Sequence, residues 1–134
     1  MTLLVPNVGE DLALQYLVNK ASPQNLVLRL FKSNTTPAEG DTAGTYTEAD
    51  FTGYAALTLA GASWTVTPGA PSQAAYAQQT FTSSAEQASQ SIYGYYLTRL
   101  TGGELVYAER FTDGPYAITH LGDAIKVTPQ ITAD

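Results

Sequence analysis

From Asn25 onward the apolar residues recur with a period of two, and clusters of turn-forming residues interrupt the pattern about every ten residues. In "NLVLRLFK", Leu26, Leu28 and Leu30 point to one side of an extended chain while Val27, Arg29 and Phe31 point to the other. Further short strands are expected at 54–59, 63–67, 77–83, 116–119 and 124–129, with a hairpin over 91–111. Between them lie the turn signals "AGA", "PGAP", "TGGE", "DGP" and "LGD". No strand–helix alternation is present, which excludes a doubly wound parallel sheet. The expected fold is all-β, an antiparallel sandwich or jelly-roll-like domain.

One segment departs from that period. "GEDLALQYLVNK" places Leu14, Leu17, Val18 and Ala21 at helical spacing, with acidic residues at its start and Lys20 near its end, so a helix is expected over 9–21. Pro23 forbids much continuation. Ahead of the helix, residues 1–8 read as an extended apolar arm. The whole chain, 1–134, is expected to be a single domain, with the β domain at 25–132. Between the first long strand and the next, Ser33 to Tyr46 is a loop, and Thr47 with Asp50 is expected to cap one helical turn in "TEADF".

The tyrosines concentrate in "SIYGYYLTRLTGGELVYAERF", residues 91–111. Alternation puts Tyr93, Tyr95, Leu97 and Arg99 on one face and Ile92, Gly94, Tyr96 and Thr98 on the other. After the Gly102-Gly103 turn, Leu105, Tyr107, Glu109 and Phe111 share a face, and Arg99 falls opposite Glu104 or its neighbours. Aromatics on both faces indicate a central hairpin whose rings are mainly structural. Trp64, alternating with Val66 in "SWTV", is expected in the core.

Charge narrows the functional classes. Twelve carboxylates oppose six scattered Lys and Arg, a formal charge of -6. Phosphate-backbone binding needs clustered cations, so nucleic acid is not expected as a partner. Nor is an anionic membrane, since no basic amphipathic segment exists. The chain lacks cysteine, and its first residues lack the basic region of a secretory signal. His120, the single histidine, sits in a turn beside Asp123, and no "GxSxG" elbow accompanies it. Glu39, Asp41, Glu48 and Asp50 crowd one loop but do not follow the EF-hand pattern; solvated carboxylates are the expected reading. No metal, cofactor or enzymatic activity is expected.

Across Leu26 to Thr132, the order "LRLFKSNTTP", "YTEADFTGYAALTL", "SWTV", "QTFTSS", "IYGYYLT", "AERFTDGPYAI" and "GDAIKVTPQIT" resembles a family of small virion proteins of tailed phages, cyanophages among them. The resemblance implies a structural component of the particle, made in the host cytoplasm and located in the virion. A capsid decoration (cement) protein fits that reading: a homo-oligomer, expected to be a trimer, bound to the major capsid protein or other virion proteins. Leu3, Leu4 and Val5 of the arm and Leu14, Leu17 and Val18 of the helix are the candidate contact residues. The arm has a second option, as an edge strand of its own sheet. Two other functions stay open: a neck, tail or fibre component, and a carbohydrate-binding sandwich using exposed tyrosines and Trp64.

Overall fold

A computed structural model describes residues 2–133, with side chains described from residue 5 onward. The fold is all-β and sandwich-like, with antiparallel sheets and one short helix. Its strands are β1 (Thr2–Leu4), β2 (Leu26–Phe31), β3 (Leu57–Leu59), β4 (Thr65–Thr67), β5 (Ser72–Ala75) and β6 (Gln79–Thr82). They continue with β7 (Gln90–Ile92), β8 (Gly94–Arg99), β9 (Leu105–Arg110), β10 (Tyr116–Ile118), β11 (Ala124–Val127) and β12 (Gln130–Ala133).

The largest sheet runs β1-β9-β8-β2-β3. Its centre is the expected hairpin, β8 with β9, flanked by β2 along Leu26↔Arg99 to Phe31↔Gly94. Leu28, Leu30, Tyr95, Leu97 and Tyr107 enter the main core from this sheet. They meet Phe51, Phe81, Ile92, Ile118, Ile125 and Val127, drawn from loops and the smaller sheets β6–β11 and β7–β10. On the opposite face Phe31, Tyr96, Leu105 and Ala108 form a second cluster under Tyr46. The 33–46 loop supplies that lid, held by Arg110, which donates to the Thr35 carbonyl and to Asn34 Oδ1.

Several expectations shift for physical reasons. Leu105 faces away from Tyr107, because the β8–β9 register slips between Leu97 and Thr98 and Val106 becomes an extra residue on β9. Such a bulge reverses the alternation beyond it. The Arg99–Glu104 juxtaposition holds: the Arg99 N–H donates to the Glu104 carbonyl at 3.0 Å. "TEADF" forms no helical turn; Glu48 is bridged to Phe31, and the Ala49 N–H donates to the Leu30 carbonyl. β3 begins only at Leu57, since Gly53 takes φ 92° and turns the chain, which lets Tyr54 stack on Phe81.

Trp64 is half-buried rather than core. A 3-10 turn at Gly61–Ser63 precedes it, its ring meets Tyr76 edge-on, and Val66 on the neighbouring strand is 71% exposed. β5 and β12, which carry no strong strand signal, pair with each other, and β5 pairs on its other side with β4.

Candidate functional site

Helix α1 covers Asn7–Leu17, two residues earlier at its start and four shorter at its end than the periodicity predicts. Asn19 ends it: its φ of 59° is left-handed, and the Asn19 N–H donates back to the Tyr16 carbonyl. The helix docks on β9 through its smallest residue. A Cβ on Gly9 would lie 2.4 Å from the Val106 carbonyl oxygen, so only glycine permits this approach. Leu12 is buried beside it, and the Arg99 guanidinium lies 6.0 Å from the Tyr16 ring centre.

With Gly9 and Leu12 turned to the sheet, Leu14, Leu17 and Val18 are left 62%, 82% and 69% exposed. Spaced three and four apart, they share one helix face. Of the six predicted contact residues, these three thus form a solvent-facing apolar patch. Val5 instead packs against the main core. The backbone of Leu3 and Leu4 belongs to β1, which pairs antiparallel with β9 as Leu3↔Glu109 and Leu4↔Ala108. Their side chains lie outside the described residues. The arm is therefore an edge strand of its own sheet, and the fully buried Pro6 joins it to the helix.

A second feature lies on β8 and β9. Glu109 is only 5% exposed, and the Tyr95 hydroxyl donates to its Oε2 at 2.8 Å. Its phase with Tyr107 and Phe111 was the one sequence signal that this carboxylate faces inward. Burial raises the Glu109 pKa above the usual carboxylate range, and the Tyr95 hydrogen bond lowers it only in part. Tyr95 is itself pushed upward, by burial first and by the nearby carboxylate second.

A carboxyl with a raised folded-state pKa contributes most to stability below its unfolded value, about 4.3, and that contribution is lost as pH rises through the folded value. Asp50, Asp123 and Glu86 have lowered pKa values and act in the opposite direction, losing stability as pH falls. The expected result is therefore a difference curve. The melting temperature of Glu109→Gln, relative to the parent, should rise with pH through the weakly acidic range and then level off. A flat difference would show that Glu109 titrates normally.

The acidic loop is dispersed over separate partners. Asp41 accepts from the Tyr46 hydroxyl, Glu48 accepts from Arg29 and Tyr54, and Asp50 accepts from Lys32 and Gln90. His120 is exposed, with Nδ1 2.8 Å from Glu86 Oε2, in a turn closed by the Asp123 carboxylate accepting from the Thr119 and His120 N–H groups. The Glu86 partner raises its pKa. Among the described residues no three metal-ligating side chains cluster, and no helix is long and apolar enough to cross a membrane. No protein-family model matches the chain, and no curated protein sequence matches it.

Proposed function

We propose that this chain is a structural protein of a tailed-phage virion, a decoration protein that cements the capsid shell as a homo-oligomer. The observation that carries the reading is the α1 patch. Leu14, Leu17 and Val18 face solvent on a helix whose opposite side is locked to β9. A rigid, exposed apolar face loses little conformational freedom when a protein partner covers it. The low charge and the order of sequence motifs from Leu26 to Thr132 support the same assignment. A cyclic oligomer would repeat the contact around the shell, multiplying a weak interaction without a new interface type.

The test is Leu14→Glu combined with Leu17→Glu. Both side chains are mostly exposed, so thermal stability should stay near the parent value. Sedimentation should report a smaller species, and binding to undecorated particles should be lost. If the variant assembles and coats particles like the parent, the proposal fails. A few copies per virion, rather than a shell-wide array, would move the assignment to the neck or tail.

A further inference from the structure

Away from α1, the segment after β9 folds back over the end of the hairpin and borders a groove of about 610 Å³. Glu109 lines it together with Phe111, Tyr116, Lys126, Thr128 and Gln130. A second concavity of about 380 Å³ adjoins it and shares Tyr116 and Lys126. The two form one tract with an aromatic side chain at the join.

Tyr116 is held in place there. Its hydroxyl donates to Asp113, and its ring packs on Phe111 with centroids 5.2 Å apart, tilted by 54°. Even so it is 38% exposed. An exposed ring tethered at both ends loses little freedom when a ligand covers it.

The lining selects a ligand class. Glu109, Asp113 and Asp123 outnumber Lys126, which disfavours phosphates and acidic ligands. Ile125 and Val127 are buried, so the exposed apolar lining is the Tyr116 ring with the small side chains of Ala117 and Ala124, and a long aliphatic ligand finds little to fill. What remains is a neutral molecule with both an apolar C–H face and a rim of hydroxyls. The hydroxyls could donate to the exposed Asp113 carboxylate and accept from Lys126 and Gln130. A pyranose ring has that shape, and two adjoining concavities give room for more than one ring.

We infer that this tract binds a neutral oligosaccharide, with Tyr116 as the stacking platform between two sugar subsites. The inference does not depend on the capsid reading, since its residues lie apart from Leu14, Leu17 and Val18.

The experiment has two stages, both on the full chain. An array of neutral hexose, N-acetylhexosamine and deoxyhexose oligomers, with uronic and sulfated glycans beside them, identifies binders. Amide shift mapping with the best neutral trisaccharide then locates the site. The expected result is neutral binding that perturbs Tyr116, Lys126 and Gln130. Tyr116→Ala should weaken it by at least about tenfold, equivalent to about 1.4 kcal/mol. Lys126→Ala, a change at an exposed side chain, should weaken it less and leave the fold intact. The inference is overturned by no neutral binding across the array, by preference for acidic glycans, or by binding that Tyr116→Ala leaves unchanged. Shifts of β10 and β11 with an extended Ala-Lys-Ala-Lys peptide, and none with sugars, would reassign the tract to a polypeptide and also overturn it.

Discussion

Phe31→Ala is expected to destabilise the fold by about 3–5 kcal/mol, read as a drop in the denaturant midpoint at unchanged slope. Phe31 is fully buried, its ring 4.9 Å from that of Tyr46 and 6.3 Å from that of Tyr96. Tyr46 and Tyr96 stack on each other at 5.2 Å. Removing the ring would leave a hole with little ability to close. The central sheet forms one wall, and Tyr46 is tethered by the 2.7 Å bond from its hydroxyl to Asp41. Since a domain of ordinary size has a stability of about 5–15 kcal/mol, the loss would remove a large share of it. A loss below about 1 kcal/mol would mean that the 33–46 loop collapses into the hole, and that the second cluster is not rigid.

The second large effect is expected at Gly94, from too much volume rather than too little. A Cβ there would stand 2.1 Å from the Glu109 carbonyl oxygen and 2.5 Å from Phe31 Cζ. Overpacking usually costs about 1–3 kcal/mol when side chains can yield. Here the nearer obstacle is backbone of the adjacent strand, so Gly94→Ala should cost at least the upper end of that range. A double variant separates the two obstacles. Phe31→Leu would relieve the ring conflict but not the carbonyl, so it should not rescue Gly94→Ala. Recovery of the melting temperature in the double variant would show that the ring, not the strand, sets the limit.

These two residues also show how far the sequence can be read. β2 was legible because the period of two in "LVLRLF" puts Leu28 and Leu30 on one face and Phe31 on the other, and both faces are needed, one for each cluster. The β8–β9 hairpin was legible from its aromatics and its double glycine. The position of Leu105 was not, because the bulge at Val106 arises from the match between loop length and strand register, and residue type does not encode that match. β5, "SQAA", has no strand propensity of its own and exists because β4 and β12 pair with it on either side. In α1, periodicity identified the apolar face but not which side docks. A glycine made that choice, by allowing the helix backbone to approach β9. The groove was illegible for a different reason. Its residues come from β8, β9, the segment after β9, the start of β10, and the end of β11 with the start of β12, which only the tertiary fold brings together.

The pairing of β1 with β9 has a consequence for how the chain is made. Thr2 meets Arg110, so the first strand has no partner until more than a hundred further residues exist. At ribosomal speeds of about 5–20 residues per second, that wait lasts roughly 5–20 seconds. Throughout it α1 lacks its β9 dock, and Leu12 is exposed along with Leu14, Leu17 and Val18. The nascent chain thus shows the apolar residues of α1 at the stage when it has least structure to shield them. Closure then occurs in one late step, when β9 brings the dock for α1 and the partner for β1 together.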